Sequence, residues 1–134
     1  MSITFKFKEY PSNIFGITRR PIAQVYFQHK NKVRWLPVAM VVDSGADYTL
    51  LPKFLAASLG ISLPKDCKLI GTRGVGGEST VHLLRKKIKV KLGKYEREIP
   101  IGFLSNDNIP PLLGRQEFLE TFKVILEKFE TTFE

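Results

Sequence analysis

The stretch Leu36-Pro37-Val38-Ala39-Met40-Val41-Val42-Asp43-Ser44-Gly45-Ala46 runs apolar to Val42 and then delivers an ionisable carboxylate where small residues let the chain turn. A continuous apolar run of this kind reads as a buried strand, and a carboxylate at its end is costly unless it is paired, hydrogen-bonded or kept for chemistry. Gly45 and Ala46 let other groups approach Asp43, and the Ser44 hydroxyl can tie the turn down. On its own the triplet Asp43-Ser44-Gly45 fits a turn in which the aspartate caps nearby amides better than it fits a site. It occurs once in the chain.

Around that stretch the sequence reads as mostly β. Strand-like runs cover Ile3 to Lys8, Ile22 to Gln28, Val33 to Val42, Lys68 to Gly71, Val81 to Leu92 and Arg97 to Phe103. Turn signals stand at His29-Lys30-Asn31-Lys32 and at Gly93-Lys94. Phe122 to Glu127 and Phe129 to Glu134 read as two final strands. One helix is expected at Lys53 to Leu59, introduced by Pro52 and stopped by Gly60, and a second short one at Arg115 to Thr121. Between them Ser105-Asn106-Asp107-Asn108-Ile109-Pro110-Pro111 is a loop that leads into Leu112-Leu113-Gly114.

With 134 residues, 43% hydrophobic and 25% charged, residues 1–134 make one globular domain with a real core and no linker. No apolar run reaches the roughly 20 residues that span a bilayer, and Met1 to Lys6 lacks the apolar core of a signal peptide, so the expected location is the cytoplasm, with no membrane partner. The lone Cys67 excludes an internal disulfide, and His29 and His82 are too few for a zinc cluster, so no metal or other cofactor is expected. A net charge of +8 raises the question of nucleic acid. Lys87, Lys89, Lys91 and Lys94, however, interleave with Ile88, Val90 and Leu92, the period-two pattern of a strand with one wet face, and no recognition helix or aromatic nucleic-acid motif accompanies them.

Four segments in order resemble the retropepsin type of aspartic protease, the dimeric retroviral-like branch of the pepsin superfamily. Arg20-Pro21 is similar to an Arg-Pro near the start of retroviral proteases, and Asp43-Ser44-Gly45-Ala46-Asp47 with Thr49 and Leu50 resembles their Asp-Thr-Gly-Ala-Asp segment. Arg73-Gly74-Val75-Gly76-Gly77 resembles the glycine-rich flap tip, and Leu112-Leu113-Gly114-Arg115 the Ile-Ile-Gly-Arg before the family's helix. The resemblance covers residues 20 to 126. It departs from retroviral flaps at Arg73 and Glu78, and the first 19 residues and the tail from Phe122 extend beyond the viral pattern, the tail resembling the hairpin that ends pepsin lobes.

The resemblance implies a single-domain, closed β-barrel acid-protease fold with one or two short helices and a flap hairpin. It implies an aspartic endopeptidase with Asp43 as the catalytic carboxylate, Ser44 and Gly45 bracing it, and no cofactor. Ala46, Asp47, Arg73, Gly74, Val75, Gly76 and Gly77 would meet an extended peptide substrate, and Arg20, Thr49, Gly114 and Arg115 would support the site. A water held between two carboxylates that share one proton is the chemistry such a site would run, since like charges so close cannot both ionise cheaply. One triplet per chain then requires a homodimer. Two other readings make different demands: a non-catalytic dimeric peptide-binding module of the same fold would show no turnover, and a basic nucleic-acid-binding β-domain would bind with steep salt dependence through Lys87, Lys89 and Lys91.

Overall fold

The computed structural model describes residues 1–74 and 77–134. Within them the chain runs β1 (Ile3–Lys6), β2 (Lys8–Ser12), β3 (Gly16–Arg20), β4 (Ile22–Gln28), β5 (Trp35–Val42) and β6 (Thr49–Pro52), then two short helices, α1 (Leu55–Ser58) and α2 (Leu63–Asp66). It continues through β7 (Cys67–Gly74), β8 (Gly77–Leu84), β9 (Ile88–Leu92), β10 (Tyr95–Ile99), β11 (Ile101–Leu104) and β12 (Leu112–Leu113) to a 3-10 turn at Leu119–Thr121, β13 (Val124–Glu127) and β14 (Glu130–Phe133).

Nine strands form the main sheet in the order β10-β9-β4-β5-β12-β6-β11-β8-β7. Alternation builds its core face: Ala23, Val25 and Phe27 of β4 are buried, as are Val38, Met40 and Val42 of β5 and Ile88, Val90 and Leu92 of β9. The lysines of β9 lie on the other face, where Lys91 sits 4.2 Å from the Trp35 ring centroid, so the wet-face reading of that strand holds. β11 is buried at all four positions because it runs inside the sheet, parallel to β6 and antiparallel to β8. A smaller sheet, β1-β14-β13, packs Phe133 edge-on against Phe5 and Phe122, and β2 and β3 form a separate hairpin.

The architecture is mostly β with two short helices, but the expected closed barrel is absent as a hydrogen-bonded ring: among the described residues no ladder joins the end strands β10 and β7. Other expectations change for local reasons. Val81 to Leu92 is two strands, because Arg85, Lys86 and Lys87 place three like charges side by side and the chain bends there into water. Arg97 to Phe103 breaks at Pro100, which has no N–H for a ladder; β10 pairs with β9 before it, and β11 pairs with β6 after it. Ile3 to Lys8 divides at Phe7, so that β1 zips onto β14 and β2 onto β3. The helix expected from Arg115 to Thr121 is only a 3-10 turn over its last three residues, since Glu117 takes φ 57°, outside the helical region. The helix expected at Lys53 to Leu59 narrows to Leu55–Ser58, and Gly60 ends it at φ 72°.

Candidate active site

The loop that follows β5 is built from both sides. β5 pairs with β4 on one flank and with the two-residue β12 on the other, where Leu112 and Leu113 run parallel to Val41 and Val42. The Val42 N–H donates to Pro21 O at 2.9 Å, and the Asp43 N–H donates to Leu113 O at 3.0 Å, so the ladder holds the backbone up to the aspartate itself. There the chain turns: the Ala46 N–H donates to Asp43 O at 3.1 Å, and the Gly45 N–H donates to Asp43 Oδ1 at 2.9 Å. Asp43 is half-buried, while Ser44, Gly45 and Asp47 are exposed. A methyl group on Gly45 would lie 3.2 Å from Asp43 Oδ1 and crowd that carboxylate.

A second segment, Gly114 to Gln116, closes on this loop. The Arg115 N–H donates to Ala46 O at 3.0 Å and the Gln116 N–H to Asp47 O at 2.8 Å. The Arg115 guanidinium straddles the loop, one nitrogen donating to Ser44 O at 2.6 Å and the other to Asp47 Oδ1 at 2.7 Å. A planar fork reaches two acceptors at once, which a single ammonium does not do in fixed geometry. Beneath it the buried Thr49 hydroxyl accepts from the Gly114 N–H at 3.2 Å. Gly114 packs so closely on Tyr48 that an added Cβ would lie 2.3 Å from the Tyr48 carbonyl carbon and 2.4 Å from its oxygen. Only glycine fits there.

Asp43, Ser44, Gly45, Ala46, Asp47, Thr49, Gly114 and Arg115 are thus brought into one constellation. Arg20 is not in it: its guanidinium stacks over the Tyr10 ring within the β2–β3 hairpin, 5.0 Å from the centroid. Arg73, Gly74 and Gly77 lie in the β7–β8 hairpin, where Gly74 pairs with Gly77 and Arg73 with Glu78. Val75 and Gly76 lie outside the described residues.

Tyr48 is a participant that sequence reasoning missed. Its backbone is the surface against which Gly114 packs, and its ring edge lies beside Gly102 of β11. Burial, with the Asp47 carboxylate adding to it, raises its phenol above the ordinary 10.0. A tyrosine between an aspartate and a threonine carries no motif, and the contact that defines it comes from a distant segment. Among the described residues no group of three or more His, Cys, Asp and Glu side chains is placed to hold a metal ion.

A model of the aspartyl protease family matches residues 30–116. Among curated protein sequences none matches. The crystal structure of a retropepsin-like aspartic protease from Rickettsia conorii is similar in fold, with a TM-score of 0.66 at 21% identity over 99% of this chain and 90% of that one.

Proposed function

This chain belongs to the aspartyl protease family, and from that premise we propose that it is an aspartic endopeptidase whose active form is a homodimer with one Asp43 from each copy. The observation that carries this reading is the clamp on the loop. Arg115 bonds to both Ser44 O and Asp47 Oδ1, and the Gly45 amide bonds to the Asp43 carboxylate, so the reactive group stands on a braced turn. Two such carboxylates facing each other cannot both ionise cheaply, so they share one proton. The charged carboxylate takes a proton from water as its oxygen attacks the peptide carbonyl carbon, while the neutral one protonates the carbonyl oxygen. In the collapse of the tetrahedral diol the carboxylate that is now charged takes a proton from a diol hydroxyl, the C–N bond breaks, and the carboxylate that is now neutral gives its proton to the leaving nitrogen, which restores the starting pair.

In this reading Ser44 braces the two turns across the dimer axis, and Arg20 of the second copy joins Asp47 and Arg115. Ala46 and Asp47 offer acceptors to an extended peptide, and Arg73, Gly74 and Gly77 of the β7–β8 hairpin meet it from the other side. A cleft of about 370 Å³ beside Ser44 supports the pairing: Val42, Leu119, Phe122, Val124 and Leu126 give it apolar walls, Arg115 and Glu120 add charge, and Leu126 is 56% exposed.

Asp43→Asn tests the chemistry. Wild-type protein should cleave an unstructured protein at mildly acid pH and the variant should not, with its fold and self-association intact; equal cleavage by both overturns the mechanism. Mixing tests the stoichiometry. With one part wild type to nine parts Asp43→Asn, random pairing leaves about one dimer in a hundred with two aspartates. Activity should fall to about that level, whereas a chain acting alone would retain about a tenth.

A further inference from the structure

We propose that a basic cleft remote from Asp43 binds an acidic peptide segment carrying an apolar side chain. The cleft, of about 360 Å³, lies between the His29–Lys32 turn, α2 and the bend from Arg85 to Lys87. Ile61, Leu84 and Ile88 form an apolar floor. The rim is cationic: among the described residues seven lysines and arginines line this cleft, against a single acid, Asp66.

That single acid is already engaged. Asp66 accepts from the Ser62 N–H at 2.8 Å and from Lys30 Nζ at 3.0 Å, and Lys87 is paired with Glu117. Lys32, Lys65, Arg85, Lys86 and Lys89 have no carboxylate partner among the described residues. Concentrating five such cations around one hollow costs self-repulsion that a complementary anion relieves. The floor then selects the kind of anion. A free phosphate would leave Ile61, Leu84 and Ile88 unused. A nucleic acid would look for aromatic faces on which to stack its bases. Here the His29 ring is pinned by the Asn31 N–H at 3.0 Å and by Arg34 at 3.2 Å and is pressed against Gly60, while the nearby Trp35 ring is capped by Lys91. Carboxylates on the rim with one apolar side chain on the floor match both halves of the surface. The proposal does not require Asp43 to be catalytic.

The experiment measures fluorescence anisotropy of a fluorescein-labelled peptide of glutamates flanking one leucine, titrated with Asp43→Asn protein so that cleavage cannot intervene. Lys65→Glu combined with Lys86→Glu should weaken binding about tenfold, two exposed attractive contacts having become repulsive. Lys53→Glu combined with Lys94→Glu, the same charge change outside the cleft, should change it less than about twofold. Replacing the leucine by alanine should cost about threefold, the floor contact being lost. An oligothymidylate of matched charge should bind more weakly than the peptide. Equal loss in the two charge-reversal pairs, or equal binding of the alanine peptide, overturns the proposal; tighter binding of the oligothymidylate overturns it in favour of nucleic acid. If the Lys65→Glu, Lys86→Glu protein does not fold, Lys65→Gln with Lys86→Gln replaces it, with a loss of about threefold expected and no loss overturning the proposal.

Discussion

Two neighbouring residues, Gly114 and Arg115, do different work on the same loop. The Gly114 contact is with backbone, which has no rotamer by which to yield: a Cβ would meet the Tyr48 carbonyl carbon at 2.3 Å. Gly114→Ala should therefore cost about 3 kcal/mol, at the upper end of overpacking penalties, read as a lowered urea midpoint. Arg115 is different. Its ion pair with Asp47 is exposed, with 45% and 82% of the two side chains accessible, so Arg115→Lys should cost less than about 1 kcal/mol in stability. It should nevertheless lower kcat about tenfold, because losing one limb of the fork frees the turn that orients Asp43. Unchanged kcat would deny the clamp any part in the chemistry. Asp43, Asp47, Gly114 and Arg115 could be picked out of the sequence because each stands in a short motif with a chemical reason for its spacing. Tyr48 could not, since its role is the fit of its backbone to a glycine far along the chain.

At the scale of elements, the β1-β14-β13 sheet is held by one buried ring. Phe133 is fully buried and meets Phe5 and Phe122 edge to face, with centroids 6.1 and 5.6 Å apart. Phe133→Ala should destabilise by about 3–5 kcal/mol, measured by thermal or urea unfolding, and limited proteolysis should cut first between β1 and β2. A loss below about 1 kcal/mol would mean that this sheet is not coupled to the core. Alternation was enough to find β4 and β9, because their buried and exposed faces differ in composition, whereas β5 showed itself as a continuous apolar run. β12 was beyond such reading: two residues have no period, and Leu112-Leu113 becomes a strand only because β5 and β6 leave a slot between them. The terminal hairpin turns on Lys128 and Phe129, both at positive φ, where a sequence normally advertises the turn with glycine or asparagine. Its two strands were expected, over Phe122 to Glu127 and Phe129 to Glu134, but their turn was not.

For the molecule as a whole, three titrating groups among the described residues bound a stability window. Hydrogen bonds from the Ser62 amide and from Lys30 hold the Asp66 carboxyl below its usual 3.8. A depressed acid contributes stability that is complete above its unfolded pKa and is lost as pH falls through the folded one, so this contribution disappears only below about pH 4. Burial raises the Tyr48 phenol above 10.0 and the Cys67 thiol above 9.0. Both prefer the neutral form in the fold, so their contributions are complete below those values and decline as pH rises beyond them. Urea midpoints should be level from mildly acid to neutral pH, fall in strong acid, where Lys30→Ala should flatten the fall, and fall again in alkali, where Tyr48→Phe should do the same. An assay at mildly acid pH thus lies inside the window. The same burial should keep the Cys67 thiol slow to react with a disulfide reagent until the protein unfolds.

The strap across the Asp43 loop also has a consequence in time. Leu113, Gly114 and Arg115 lie about 70 residues downstream of the aspartate they hold (113 − 43 = 70), so a ribosome adding about 5–20 residues per second delivers them roughly 4–14 s later. Through that interval the nascent chain carries its carboxylate on an unfastened turn, and the order in which the sequence is read postpones assembly of the site until most of the chain exists.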